Sequence, residues 1–458
     1  MKLPATIFRE YDIRGTVGDE LTGEVAYAIG KAFATLATER LRRAARIAVG
    51  RDNRPSGVDL ANQVVSGIVD AGSFALFVGP VPTPALYFAT HTLTVDAGLQ
   101  VTGSHNPPAF NGFKMVLRGG AIYGEDIKLL HRMIVEGRTP DRAGGSQQTH
   151  PNLLDAYGKA VVSRNGPLPR RVKVVVDCGN GVASLIAVET LRALGADVVG
   201  LFCESDGTFP NHHPDPTVLE NLRHLQAAVA RERAELGIAF DGDGDRIGAV
   251  DEQGRAVFGD QLLVLLGRDL ARRMGPGHPV IFDVKSSAVL AQELARVGLK
   301  PTMWKTGHSL IKQKMKELHA PLAGEMSGHM FFGGDWYGFD DALFAAARLL
   351  RYLAEQEGPL SRLLADLPPT VSTPEIRIDC PDDRKFAIVE RAAQHFAPRY
   401  PISTLDGVRI TFADGWGLLR ASNTQPVLVM RFEAGSESAL ATYRAEVEGW
   451  LAAQGIRP

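Results

Sequence analysis

The sequence predicts an α/β protein of three repeated α/β units followed by a smaller C-terminal α+β domain. Three observations carry that prediction. A strand, an Asp, a polar turn and a helix follow one another three times, at Asp52, Asp177 and Asp283, with the spacing of ordinary domains. Beyond the proline-rich stretch 358–374 the pattern changes to strand, helix, hairpin, strand and helix. The chain has 458 residues, enough for several separate cores.

In the first unit a strand at 48–49 leads through Gly50-Arg51-Asp52 to a helix near 58–71. In the second, 172–176 leads through Asp177-Cys178-Gly179-Asn180-Gly181 to a helix near 183–194. In the third, 280–282 leads through Asp283-Val284-Lys285-Ser286-Ser287 to a helix running through Leu294. Short β-branched runs bounded by polar turns read as buried strands, and longer periodic runs as helices. Segment 137–150 lacks apolar periodicity and reads as a linker. The domains are therefore placed at 1–150, 151–255, 256–368 and 369–458, the boundary at 255 resting on the repeat alone. The last one reads as a strand at 375–378, a helix at 383–395, and a hairpin of 408–412 and 417–421 about Ala413-Asp414-Gly415. A strand at 427–432 and a helix at 436–453 close it.

Lys and Arg number 50 against 52 Asp and Glu, a net charge of −2, without the basic footprint of a nucleic-acid binder. No apolar run reaches the length of a membrane span. The first dozen residues lack the uninterrupted apolar stretch of a signal peptide. Cys178, Cys203 and Cys380 are odd in number and far apart, which suggests neither a disulfide framework nor a zinc site. A cytoplasmic protein with neither membrane nor nucleic-acid partners is expected.

Four segments carry chemistry. In Asp241-Gly242-Asp243-Gly244-Asp245-Arg246 the glycines let the chain curl, so that three hard oxygen donors converge on one cation such as Mg²⁺. Arg246 then suits a phosphate oxygen. An EF-hand is the competing reading, but its sixth position holds Arg246 where Gly is required, and the flanks 237–240 and 247–250 read as strands. The second segment is Gln100-Val101-Thr102-Gly103-Ser104-His105-Asn106-Pro107-Pro108, followed by Asn111-Gly112-Phe113-Lys114. It puts one hydroxyl, Ser104, in a turn as candidate nucleophile or phosphate carrier. His105 directly follows it, a poor spacing for a base facing Ser104, and alone the segment reads equally as an Asn-Pro turn. The third comprises Trp304-Lys305-Thr306-Gly307-His308-Ser309 and Glu325-Met326-Ser327-Gly328-His329, where carboxylate and hydroxyl suit sugar hydroxyls. The fourth, Arg420-Ala421-Ser422-Asn423-Thr424, has the makings of a phosphate nest.

Five ordered motifs together resemble the α-D-phosphohexomutase superfamily over essentially the whole length. They are Phe8-Arg9-Glu10-Tyr11-Asp12-Ile13-Arg14-Gly15, Thr102-Gly103-Ser104-His105-Asn106-Pro107, Asp241-Gly242-Asp243-Gly244-Asp245-Arg246, Gly324-Glu325-Met326-Ser327-Gly328-His329 and Arg420-Ala421-Ser422-Asn423-Thr424. The resemblance implies three mixed α/β domains and a TATA-binding-protein-like fourth around one cleft. It implies that Ser104 is the phosphoserine, and that Asp241, Asp243 and Asp245 hold Mg²⁺ with a phosphoserine oxygen. Glu325 and Ser327 would bind sugar hydroxyls, and Arg420, Ser422, Asn423 and Thr424 the phosphate that is not reacting. Tyr11, Arg14, Lys114, Arg246, Lys285, His308 and His329 match positions that line the family cleft. Two positions depart from the pattern: Gln425 replaces a more usual Thr, and Ser286 a frequent Cys.

The implied reaction is a reversible phosphoryl shift between O1 and O6 of hexose phosphates of mannose and glucose, through a glucose or mannose 1,6-bisphosphate. Lys114, His308 and His329 are the candidate general bases, and Arg246 and Lys114 would supplement the metal's charge. A monomer is expected. The alternatives are a phosphoglucosamine mutase, which Met326 disfavours by resemblance, a Mg²⁺-dependent sugar phosphatase, and a non-catalytic sugar-phosphate sensor.

Overall fold

The structure, a computed structural model, describes residues 3–117, 120–423 and 425–456. The predicted repeat emerges as a topology. In each of three units, four strands in chain order are arranged second-first-third-fourth, with the first parallel to both neighbours and the fourth antiparallel to the third. In unit one these strands are Arg46–Arg51, Phe74–Pro80, Ala97–Val101 and Phe110–Leu117. In unit two they are Lys173–Asp177, Asp197–Leu201, Leu236–Phe240 and Ile247–Asp251. In unit three they are Pro279–Asp283, Lys300–Trp304, Leu322–Gly324 and Met330–Phe332. The inner strands are buried along nearly their whole length, as parallel strands covered by helices require. A fourth sheet, largely antiparallel, spans Val371–Ser372 to Val427–Ala434 and carries helices Asp382–Phe396 and Glu437–Ala453.

This topology places the motifs. In every repeat the loop between the third strand and the antiparallel fourth lies at the carboxyl end of a parallel strand, where α/β sheets bind ligands. Those loops carry Ser104 in unit one, Asp241 to Arg246 in unit two and Glu325 to His329 in unit three. The Asp that marks each repeat ends or follows the first strand, and all three are buried. Asp52 accepts from Thr102 Oγ1 at 2.7 Å and from the Gly103 N–H at 3.2 Å. Asp283 accepts from the Met326 N–H at 3.1 Å, so both carboxylates pin a functional loop. Asp177 pairs instead with His212 Nε2 at 3.0 Å.

Three local expectations change. Within 137–150, Ser146–Thr149 is an edge strand parallel to Phe74–Pro80, and all four of its residues are exposed. It contributes backbone hydrogen bonds and no apolar face, so periodicity had nothing to register. The helix expected at 183–194 is a 3₁₀ turn, Val182–Leu185, then a helix, Ala187–Ala193, broken at Ile186. The hairpin turn is tighter than expected: Phe412 faces Gly415, leaving Ala413 and Asp414 as its two loop residues.

Units one to three share a continuous core, with Leu76, Val174, Val280 and Leu350 in one cluster. The C-terminal unit has its own, around Ile388, Phe396, Ile410 and Phe432. A small seam of Val284, Trp416 and Leu418 joins it to unit three. Arg409 reinforces the seam, lying 3.7 Å from the Trp416 ring centroid and donating to the Ser286 carbonyl at 3.0 Å. No described helix is long and apolar enough to cross a membrane.

Candidate active site

Ser104 is buried and sits at φ +48°, a left-handed conformation that costs a non-glycine residue about 1 kcal/mol. Arg54 holds the loop in that shape. Its fully buried guanidinium donates to the carbonyls of Ser104 at 2.8 Å, Asn106 at 2.5 Å, Pro107 at 2.7 Å and Phe110 at 3.0 Å, and Nε pairs with Asp52 at 3.1 Å. Replacing Arg54 by Met would strand those carbonyls and the Asp52 carboxylate away from water. We expect Arg54→Met to cost about 3–5 kcal/mol, read as a lowered thermal midpoint. Arg54→Lys should recover little, because an ammonium cannot span the fork; full recovery by Lys would show that charge alone matters.

The metal-type loop meets Ser104 directly. The Ser104 hydroxyl donates to Asp241 Oδ2 at 3.2 Å, and a Cβ on Gly242 would come within 2.4 Å of the Ser104 carbonyl oxygen, so only Gly permits this approach. Asp241, Asp243 and Asp245 are all fully buried, and each offers an oxygen within 4.8 Å of the others. Lys114 Nζ bridges Asp243 Oδ2, at 2.7 Å, and Asp245 Oδ2. Thr83 Oγ1 also donates to Asp243 Oδ2, at 2.6 Å, while Asp243 Oδ1 is buried with no hydrogen-bond partner. Asp245 Oδ1 is likewise buried without one, and three converging carboxylates with two such oxygens fit a divalent cation with oxygen ligands. Burial pushes the Asp241 carboxyl well above the usual range, with Asp245 and Asp243 adding repulsion, which is the electrostatic demand a cation would meet.

His105 Nδ1 lies 3.2 Å from Ser104 Oγ, contrary to the expectation from its spacing. The left-handed residue breaks the alternation that would send adjacent side chains apart. Burial pushes the His105 imidazole well below its ordinary pKa, and Arg246 and Arg14 add to the effect. Arg14 reaches the same loop through Asn106 Oδ1 at 3.0 Å.

On the unit-three wall, His329 Nδ1 is 2.9 Å from Glu325 Oε2 and 3.0 Å from Ser327 Oγ, and its Nε2 is 3.3 Å from Asp245. Burial disfavours its charge, but Asp245 and Glu325 outweigh it and hold the imidazolium to about 9. Burial likewise works against ionised Glu325, yet His329 brings that carboxyl down to about 2. The His308 ring lies 5.8 Å from that of His329, tilted by 34°, but burial, with Lys312 and Lys114 nearby, pushes it well below its usual range. Lys114 is pushed well above: burial opposes its charge, and Asp243 and Asp245 overcome that. Arg246 Nε approaches His329 Nε2 at 3.4 Å.

The C-terminal unit closes the ring. Arg420 pairs with Asp406 at 3.1 Å, and Asp406 also accepts from the Thr306 N–H of unit three at 3.0 Å. Asn423 Nδ2 donates to Tyr11 Oη at 2.8 Å, and Tyr11 donates to the Thr306 carbonyl at 2.9 Å. Gly307, at φ +131°, has no room for a Cβ against the Tyr11 ring. Ser422 caps the turn by accepting from the Gln425 N–H at 3.2 Å. Lys285 pairs with Glu375 at 3.1 Å. Thr424 lies outside the described residues.

One cleft thus gathers the serine, the acidic cluster, the Glu325 wall and the Arg420 loop, and the family models follow the same four-part division. Descriptions of phosphoglucomutase/phosphomannomutase α/β/α domains I, II and III match residues 5–138, 155–254 and 258–371, and that of the C-terminal domain matches 375–449. The chain belongs to the phosphoglucomutase/phosphomannomutase family. It is 49% identical over 441 residues to a phosphomannomutase/phosphoglucomutase of Pseudomonas aeruginosa, covering 96% of this chain and 94% of that one. A phosphoglucomutase of Neisseria gonorrhoeae is 45% identical over 437 residues, covering 95% and 94%. A crystal structure of a family protein from Burkholderia thailandensis superposes with a TM-score of 0.92 at 44% identity, covering 99% and 98%. As a member of this family the chain is an enzyme, an isomerase.

Several residues of the cleft escaped the sequence reading: Arg54, Thr83, Glu375, Asp406 and Asp340, which faces His308 and His329 at 3.9 Å. Only Arg54 had a local signal, a cation two residues past an Asp at a strand end.

Proposed function

We propose that this phosphoglucomutase/phosphomannomutase family member moves a phosphoryl group reversibly between O1 and O6 of mannose and glucose phosphates, through a hexose 1,6-bisphosphate. The observation that carries the reading is Ser104 Oγ at 3.2 Å from one of three buried, converging carboxylates. Ser104 is the phosphoryl carrier, and Asp241, Asp243 and Asp245 are the ligands for Mg²⁺. The ion, when bound, neutralises charge on the phosphoryl group in transit. Lys114 and Arg246 add positive charge from this chain's own side chains. Of the three candidate bases, His308 is the one that burial and the nearby Lys312 and Lys114 push well below the ordinary imidazole range, and it is assigned to take the sugar hydroxyl proton.

Glu325 and Ser327 hold sugar hydroxyls from the unit-three wall, and Tyr11, Arg14 and Lys285 line the approach. Arg420, Ser422, Asn423 and Thr424 hold the second phosphate. After the first transfer the bisphosphate must turn end for end, so one anion site accepts either end of the sugar. A C-terminal unit with its own core and a small seam is suited to open and re-close around that event. The proposal divides the chain into domains at 1–150, 151–255, 256–368 and 369–458.

Arg420→Ala should raise KM for sugar phosphate at least tenfold, since a hydrogen bond to a charged group is worth roughly 1.5–3 kcal/mol. An unchanged KM and kcat would reject the clamp. The reaction is tested by assaying mannose 1-phosphate, glucose 1-phosphate and glucosamine 1-phosphate side by side, with Mg²⁺ and a trace of glucose 1,6-bisphosphate. Interconversion without free phosphate is expected for the first two. Net phosphate release would favour a phosphatase, and preference for glucosamine 1-phosphate would move the substrate class.

A further inference from the structure

Cys178 and Cys203 are 25 residues apart in the chain, yet their Sγ atoms lie 3.4 Å from each other. We infer that they form a redox site, a thiol pair that closes reversibly to a disulfide by exchange with a low-molecular-weight disulfide.

The fold builds the approach. Strands Lys173–Asp177 and Asp197–Leu201 run parallel, with Asp177 opposite Leu201. Just past them the Cys178 N–H donates to the Leu201 carbonyl at 3.1 Å and the Asn180 N–H to the Phe202 carbonyl at 2.8 Å, so the two segments stay side by side. Phe202 is left-handed, with φ +50°, a conformation that costs a non-glycine residue about 1 kcal/mol. Its ring packs edge-on against His212 and His224, with centroids 5.4 Å away in each case. That residue turns Cys203 back over its own strand, where Sγ lies 3.3 Å from the Leu201 carbonyl and 3.4 Å from that of Val176. Gly200 leaves the room, since a Cβ there would come within 3.2 Å of Cys203 Sγ. Backbone strain of this kind collects at functional sites.

The pair is asymmetric. Cys203 is partly exposed and Cys178 is fully buried. The Cys178 thiol alongside draws the Cys203 thiol below its ordinary pKa against the effect of burial, and Cys178 is itself pushed well above. The thiolate is the attacking species in exchange. Cys203 Sγ therefore attacks the small disulfide, whose S–S bond breaks and releases one thiolate. Cys178 then loses its proton and attacks Cys203 Sγ, releasing the second small thiolate. The two cysteines give up two electrons, the small disulfide takes them, and the two thiol protons end on the two released thiols. The sulfurs need only close from 3.4 Å to about 2.05 Å, a side-chain movement.

The test is thiol mapping of the full chain. Reduced protein is incubated with oxidised glutathione below its thermal midpoint, blocked with N-ethylmaleimide and digested without reductant. A peptide pair joining Cys178 to Cys203 is expected, and dithiothreitol should abolish it. Linkage to Cys380, which belongs to the separate core of the C-terminal unit, should be at least about tenfold less abundant. Cys178→Ser should arrest with glutathione on Cys203, and Cys203→Ser should leave Cys178 free. A Cys203 that stays reduced, a glutathione adduct on Cys203 of the unmutated chain that never resolves, or equal linkage to Cys380 would overturn the assignment. The unmutated chain decides the matter even where a variant fails to fold. The mapping needs no turnover, so its outcome is independent of the mutase assay.

Discussion

Ser104→Ala is expected to abolish phosphohexose interconversion, lowering kcat by on the order of 10⁴-fold or more, as loss of an attacking oxygen does where the rest of a site survives. The variant should still fold. The loop is shaped by Arg54 and by the Asp52 contacts to Thr102 and Gly103, none of which uses the Ser104 hydroxyl. Ala also meets the φ of +48° at about the same cost as Ser. Sugar-phosphate binding should persist, because Glu325, Ser327 and Arg420 are untouched. The pattern is therefore near-complete loss of kcat with ligand affinity retained. Intact mass and peptide mapping of the unmutated chain should place a stable phosphate on Ser104. Full turnover in the variant, or a phosphate mapped elsewhere, would end the carrier assignment.

What could be read from the sequence follows how locally each feature is encoded. Asp241 to Arg246 was legible because all its chemistry lies in one hexapeptide between strands of clear pattern, Leu236–Phe240 and Ile247–Asp251. The repeat was legible because each unit starts with the same strand, Asp and turn. Ser104 was only a hydroxyl in a turn until the other motifs joined it, since its setting is built from afar. Arg54 reaches it from fifty residues away and Asp241 from 137. His105 was misjudged because neighbouring side chains diverge in ordinary backbone, and nothing local announces a left-handed Ser104. The Tyr11–Asn423 bond joins positions 412 apart, and pattern reading has no access to such a contact. Ser146–Thr149 stayed hidden for the opposite reason: an exposed edge strand has no buried face to encode.

Asp243→Asn should cut Mg²⁺-dependent turnover by two orders of magnitude or more, and metal-linked stability distinguishes its cause. The Asp243 carboxylate has two tasks, with Oδ2 held by Lys114 and Thr83 and Oδ1 buried without a partner. Asn keeps the shape but removes a charge, and its amide nitrogen is no metal ligand. Without metal the substitution should be tolerated: it relieves repulsion from Asp245, and Lys114 keeps Asp245 as a partner. With metal the two proteins should diverge. A ligand that binds only the folded state stabilises it by RT ln(1 + [L]/Kd), about 2.7 kcal/mol at a hundredfold excess over Kd. Adding Mg²⁺ should therefore raise the thermal midpoint of the unmutated chain and leave that of Asp243→Asn nearly unmoved. The midpoints in EDTA should be similar. A variant as strongly stabilised by Mg²⁺ as the parent, with the same metal dependence of turnover, would remove Asp243 from the ligand set. A variant that unfolds even in EDTA would instead show that the carboxylate serves mainly to neutralise buried Lys114.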